Sequence, residues 1–278
     1  MTRLLHLSDP HFGAERPEVV AALLGLHKKL QPDLVVLSGD LTQRAWPYQF
    51  KRAGAFLEAL NPRARLLIPG NHDLPIINLL ARVTRPYALY QQTFGGELEP
   101  VFESDSVLVI GVDTSTPSRR IDGEVTAAQV QRVCALLRSA TAQQLRLVVV
   151  HQPVAVPAHS ERQRLLHGAA DAVPAWVAAG ADAVLGGHIH LPFVLPLEVN
   201  YPQLQRRAWV IHAGTAVSDR LRMAQPNSVN ELQFQPTPKP KLVVVRWDFG
   251  EQDASFAITD THELVLDRAR QQSSSGAL

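Results

Sequence analysis

Asp9, Asp40 and Asn71 are spaced 31 residues apart, and each follows a short apolar run: residues 4–7, 34–37 and 66–68. Thirty-one residues is about the length of one strand–helix–strand unit. The stretches between the runs, 18–30 and 47–60, carry apolar residues at helical spacing. Pro47 suits a first helical turn, where the missing N–H costs nothing. The spacing repeats architecture and not sequence. Runs apolar at every position, alternating with helices, predict strands covered on both faces, as in a parallel sheet.

The alternation continues with strands at 107–112, 145–150 and 183–185 and helices at 126–139 and 169–179. Beyond His190 the rhythm changes. Residues 193–199, 208–212, 231–234, 242–247 and 255–258 read as strands with little helix between them. These late strands predict an antiparallel second sheet stacked on the first. The fold class is then α/β, a four-layer α/β/β/α sandwich with two central mixed sheets. It is expected to form a single domain over residues 1–270. The polar, low-complexity residues 271–278 are expected to be disordered. Residues 87–103 fit either a helix plus a loop or a small cap.

The 278 residues carry a formal net charge of +1. No strong field attracts polyanions, which argues against dedicated nucleic-acid binding. The arginines of Arg206-Arg207 and Arg220-Leu221-Arg222 read as ordinary solvated cations. Cys134 is the single cysteine, so no intrachain disulfide forms. No apolar run approaches the ~18 residues of a membrane span, and the N-terminus lacks a signal peptide. A cytoplasmic protein is expected.

The chemistry-bearing residues fall at strand ends. Asp9 and His11 follow the first strand, Asp40 the second, and Asn71 and His72 the third. His151 follows the strand at 145–150, and His188 and His190 follow the one at 183–185. In a parallel sheet the carboxyl ends lie along one edge, where ligands bind in open α/β sheets. Seven side chains distant in sequence, Asp9, His11, Asp40, Asn71, His151, His188 and His190, thus meet in one place. Any one of them alone would read as a turn or cap residue; their joint placement points to metal. Imidazole with carboxylate suits Mn, Fe, Zn or Co better than Mg or Ca, which prefer oxygen shells. His6, His27, His159, His167, His212 and His262 read as surface or packing residues. Of these, His212 ends a strand beyond the last ligand motif.

In combination, Asp9-Pro10-His11, Gly39-Asp40, Gly70-Asn71-His72-Asp73, His151 and Gly187-His188-Ile189-His190 resemble the calcineurin-like metallophosphoesterases. The motifs span about two thirds of the chain. The resemblance implies a first metal held by Asp9, His11, Asp40 and His190. It implies a second held by Asp40, Asn71, His151 and His188, with Asp40 bridging. Two divalent ions would activate a bridging hydroxide for attack on phosphorus. His72 matches the family's non-ligand histidine, which protonates the leaving oxygen or stabilises phosphoryl charge. Asp73 either orients a neighbour or caps its loop.

Protein phosphatases of the superfamily look like Gly-Asp-x-x-Asp-Arg-Gly after the second strand. Gln43 and Ala45 replace the second aspartate and the last glycine here. That departure turns the expectation from phosphoproteins toward a small phosphodiester. It resembles the bacterial phosphodiesterase branch, including class III cyclic-nucleotide phosphodiesterases. Arg44 is either a phosphate contact or a surface arginine. Arg220 and Asn227, in loops after the last motif, are candidate substrate contacts. A phosphomonoesterase or nucleotide pyrophosphatase would use the same site. A non-catalytic scaffold would be expected to have lost some of these ligands, and none is missing.

Overall fold

Strands that are apolar on both sides need cover on both faces, and the fold supplies it in four layers. The computed structural model describes residues 1–119, 121–157, 164–236 and 240–267. His159 and the expected tail at 271–278 lie outside the described residues. The first half runs β1 (Thr2–Leu7), α1 (Pro17–Leu30), β2 (Leu34–Ser38), α2 (Pro47–Leu60) and β3 (Arg65–Ile68). Short helices α3 (Leu79–Thr84) and α4 (Ala88–Phe94) lead to β4 (Val101–Glu103) and β5 (Val107–Gly111). Then come α5 (Ala127–Ser139), β6 (Leu145–Val149), α6 (Ala169–Ala179) and β7 (Ala183–Gly186). The chain continues through β8 (Phe193–Pro196), β9 (Trp209–His212), β10 (Ser228–Gln235), β11 (Lys241–Gly250) and β12 (Ser255–Leu264).

One sheet has the order β12-β11-β10-β1-β2-β3 and the other β4-β5-β6-β7-β9-β8. Strands β1, β2 and β3 are parallel, as are β5, β6, β7 and β9. The late strands therefore do not form a sheet of their own, contrary to the sequence expectation. β10 pairs antiparallel with β1 and extends the first sheet through β11 and β12. β9 joins the second sheet parallel to β7, with β8 antiparallel at its edge. The physical reason is that an apolar strand pattern fixes which faces are buried but not which neighbour it pairs with. Residues 87–103 form α4, a turn and the edge strand β4.

Alternate side chains divide the core. Leu4, Leu34, Val36 and Ile68 of the first sheet meet Val109, Leu147, Val149 and Leu185 of the second. Leu5, Leu7, Val35 and Leu37 point the other way, onto Val19, Leu23 and Phe50 of the first helices. Leu108, Ile110 and Val148 pack on Val133, Leu137, Val173 and Trp176. Helix α5 starts on a reciprocal cap: Thr126 Oγ1 accepts from Gln129 N at 3.3 Å and Gln129 Oε1 accepts from Thr126 N at 2.8 Å. The carboxyl ends of β1, β2 and β3 come to lie beside those of β6 and β7. The expected single sheet edge is thus two edges facing one another.

Candidate metal centre

The backbone that follows these strands is bent to present side chains inward. Asp9, His11, Asp40, His188 and His190 all have positive φ, between 44° and 73°. Such conformations cost roughly 1–2 kcal/mol for each non-glycine residue. They persist because the loops are tied together: Asp9 N donates to Gly39 O at 3.1 Å, His11 N to Asp40 O at 3.0 Å and Phe12 N to Leu41 O at 2.9 Å. Close approach also demands glycine at two points. A Cβ on Gly70 would meet Asp40 Oδ1, and one on Gly187 would meet Ser8 Oγ and Asp9 Oδ2.

The seven expected residues come together. Asp9, His11 and His190 place donor atoms within 4.8 Å of one another, as do Asp40, His151 and His188. His11, Asp40 and His72 form a third such group. His151 Nε2 lies 3.3 Å from Asp40 Oδ1 and 3.2 Å from Asn71 Oδ1. His190 Nε2 lies 3.3 Å from Asp9 Oδ1 and 3.0 Å from His11 Nε2. Asp9 Oδ2 accepts from His188 N at 2.9 Å, and Asp40 Oδ1 from His72 N at 2.8 Å.

Three imidazoles are oriented by backbone carbonyls. His151 Nδ1 donates to Ser38 O at 2.7 Å, His190 Nδ1 to Arg220 O at 2.6 Å and His72 Nδ1 to Gln43 O at 2.7 Å. A carbonyl only accepts, so each Nδ1 carries a proton and each Nε2 is turned to the centre. This is the arrangement that metal-ligating histidines use.

The electrostatics match that donor set. Burial would raise Asp9, but His190 and His11 outweigh it and hold the carboxyl well below its ordinary range. Burial would also raise Asp40, and His151 and His72 pull it down. Burial lowers His11 to about 4 and His188 to about 3, so both are neutral near pH 7. His151 rises to about 9 because Asp40 outweighs the opposing burial. Asp9 Oδ1 is buried with no hydrogen-bond partner among the described residues. His151 Nε2 faces the acceptors Asn71 Oδ1 and Asp40 Oδ1, a position where either a proton on His151 or a cation can sit. A divalent cation fits such a cluster of anions, lone pairs and one unpartnered carboxylate oxygen.

Asp73 is buried beneath the cluster. It accepts from Gly70 N and Leu41 N at 3.0 Å, Thr42 N at 2.8 Å and Thr42 Oγ1 at 2.9 Å. The loop-capping alternative from the sequence describes it: Asp73 clamps the loops after β2 and β3. His212 is buried and stacked on Phe193, with centroids 4.7 Å apart, and joins none of the metal-competent groups among the described residues.

The cluster forms the floor of a pocket of about 430 Å³. Asp40, Asn71, His72, His188, His190 and Arg220 line it; of the three residues expected as substrate contacts, Arg220 lies in this pocket. Arg164, Arg222, Ile121, Ile189 and Leu221 also line it, and the sequence reading had not placed them there. The only available signal was the position of Arg222 two residues after Arg220. Arg44 lies instead in a neighbouring cleft with Trp46, Pro75 and Ile77. Asn227 is buried, and its Nδ2 donates to Thr215 O at 3.2 Å and Ser218 O at 2.8 Å. It buttresses the loop that carries Arg220.

Two stacked mixed sheets flanked by helices, with a histidine–aspartate cluster at their facing edges, define a metallophosphoesterase architecture. Residues 2–192 match the calcineurin-like phosphoesterase family, and the chain belongs to it. It is 32% identical over 136 residues to a probable cyclic nucleotide phosphodiesterase of Synechococcus, covering 49% of each chain. It is 27% identical over 203 residues to a cAMP/cGMP dual specificity phosphodiesterase of Mycobacterium tuberculosis, covering 67% of this chain and 61% of that one. The chain thus spans about half to three fifths of the length of these two relatives. The purple acid phosphatase PPD1 of yellow lupin shares the fold, with a TM-score of 0.71 at 14% identity over 96% of this chain and 54% of that one.

Proposed function

We propose that the chain is a binuclear metal-dependent phosphodiesterase acting on a small phosphodiester. The observation that carries this reading is the convergence of carboxylate, amide and imidazole donors on the floor of the 430 Å³ pocket, beside His72 and Arg220. Relatives named as cyclic-nucleotide phosphodiesterases favour the diester over the monoester.

Asp9, His11, Asp40 and His190 would hold one ion, and Asp40, Asn71, His151 and His188 the other. The imidazole content favours Mn, Fe, Zn or Co. Such ions supply Lewis-acid polarisation of the phosphoryl group and acidify water near neutral pH. The protein's own groups do the rest. Arg220 is held by Gln43 Oε1 at 3.1 Å in the pocket lining, where it would bind the phosphoryl oxygens. His72, pinned through Nδ1 on Gln43 O, keeps Nε2 at the pocket wall, where the doubly protonated ring would give its Nε2 proton to the leaving oxygen and return to the neutral Nδ1–H form. Asn227 acts from behind, through the Arg220 loop. Arg44 would meet only a substrate that extends into the neighbouring cleft.

No helix among the described residues is long and apolar enough to cross a membrane. A cytoplasmic setting, supported by the lone buried Cys134, is part of the same reading. The test is turnover by the Mn²⁺-reconstituted protein of bis-p-nitrophenyl phosphate against p-nitrophenyl phosphate. Faster hydrolysis of the diester is expected. A faster monoester would replace this reading with a phosphomonoesterase.

A further inference from the structure

Beside the pocket lies a second depression, of about 450 Å³, that the proposed reaction leaves unused. Its walls include Ala45, Trp46, Pro75, Ile77 and Leu89. The described lining holds no carboxylate, and Arg44 and Asn78 are the only polar side chains in it. Asn78 Oδ1 accepts from Ala81 N at 2.9 Å and caps α3. Arg44 is exposed, so the cleft is apolar with one cation at its rim.

Two loops join this cleft to the reaction centre. The loop after β2 runs from Gln43, which holds both His72 and Arg220, directly to Arg44 and Ala45 on the cleft wall. Gln49 Oε1 accepts from Arg44 N at 2.8 Å and from Trp46 N at 3.3 Å. Thr42 Oγ1 accepts from Ala45 N at 3.2 Å and helps to hold Ala45 at a φ of 53°. The loop after β3 runs from His72 in the pocket to Pro75 and Ile77 in the cleft. Buried Arg82 ties that wall down: Nη1 donates to Pro75 O at 3.0 Å, Nε to Pro117 O at 2.8 Å and Nη2 to Arg119 O at 3.0 Å. The cleft therefore adjoins the pocket on the side of His72, from which the leaving oxygen would take its proton. Trp46 and Ile77 are 42% and 69% exposed, apolar surface that a ligand would take out of water. An indole face and a guanidinium plane both favour a flat ring.

We propose that the cleft is the leaving-group subsite: the alcohol expelled from the phosphodiester bears an aromatic ring that lies in the cleft against Trp46 and Arg44. Attack of water on phosphorus breaks the P–O bond to that alcohol. Its oxygen takes the His72 Nε2 proton, and the proton given up by the water restores His72. The other ester arm stays on the phosphate. The preferred substrate is accordingly an open diester with one ring-bearing arm. The inference rests on the phosphodiesterase reading above.

The test uses the Mn²⁺-loaded protein and methyl 3-phenylpropyl phosphate, whose two alcohols differ little in acidity. Hydrolysis releases either 3-phenylpropanol or methanol, and NMR of the products gives their ratio. Release of 3-phenylpropanol is expected to prevail by about tenfold or more. Trp46→Ala and Ile77→Asp are expected to bring the ratio toward one. The ratio is internal to each preparation, so a loss of folded protein does not move it. Methyl heptyl phosphate, with an alkyl arm of similar hydrophobicity, is expected to show a smaller preference. A ratio near one in the wild type overturns the proposal, as does a preference that survives both variants or a heptyl arm released as selectively as the ring-bearing one. Calorimetry with 3-phenylpropyl phosphate and propyl phosphate tests the subsite without turnover: the ring is expected to tighten binding to the wild type and not to Trp46→Ala. If bis-p-nitrophenyl phosphate is not hydrolysed, the phosphodiesterase reading fails, and calorimetry alone then decides the subsite.

Discussion

His151 donates its Nδ1–H to the carbonyl of Ser38 at 2.7 Å, so a side chain from one sheet is aimed by the last residue of a strand in the other. The contact sets the tautomer that leaves Nε2 for Asp40 and Asn71. The cluster exists only when the two sheets are docked in this register. His151→Asn removes the ring that spans them. The variant is expected to bind Mn²⁺ more weakly by at least about 100-fold, measured against a competing chelator. Unchanged affinity would remove His151 from the ligand set.

His72 shares the neighbourhood of Asp40 and His11, and its Nδ1 is fixed on Gln43 O. If it donates a proton and does not hold metal, His72→Ala should keep its metal content while kcat falls about 10²- to 10⁴-fold. The loss should be greatest for alcohol leaving groups and smallest for p-nitrophenolate, which needs little protonation. A series of diesters of graded leaving-group pKa measures this. Equal losses across the series would contradict the proton-donor role.

Gly187 lets the β7 loop approach Asp9 closely enough for His188 N to donate to Asp9 Oδ2. A methyl group there would strike Ser8 Oγ and Asp9 Oδ2. Gly187→Ala should therefore destabilise the fold by about 2–3 kcal/mol and lower metal content at the same time. Urea unfolding and elemental analysis read the two effects.

Much of this centre was legible because its residues follow strands, and strand ends of parallel units converge whatever the details between them. Asp9, Asp40, Asn71, His151 and His188 could be placed that way. Sheet membership could not. Ser228–Gln235 sets Glu231, Gln233 and Gln235 on one face and Leu232 and Phe234 on the other, an alternation that fixes which side is buried but not that its partner is β1. The wall residues were equally hidden. Arg222 and Arg164 look like any solvated arginine in sequence, and only the path of their loops brings them to the pocket. Asn227 misled in the opposite direction: its loop setting suggested substrate contact, yet both amide hydrogens are used on backbone carbonyls.

Asp113 provides a pH test away from the metal cluster. Burial raises its carboxyl from an ordinary 3.8 to about 6, against the pull of Ser115 and Tyr87. Ser115 N and Oγ donate to it at 2.9 and 2.5 Å. Because the folded value is the higher one, the folded chain holds a proton that the unfolded chain releases. The contribution to stability is full below about pH 4 and is lost as pH rises through 6. Discounted for partial exposure, the loss is about 1–2 kcal/mol. Asp113→Asn has no such titration, and its amide oxygen can still accept from Ser115. Relative to the wild type, the variant should therefore gain about that amount between pH 4.5 and pH 8, measured as the difference in urea-unfolding free energy. A pH-independent difference would show that Asp113 is ionised in the folded chain throughout.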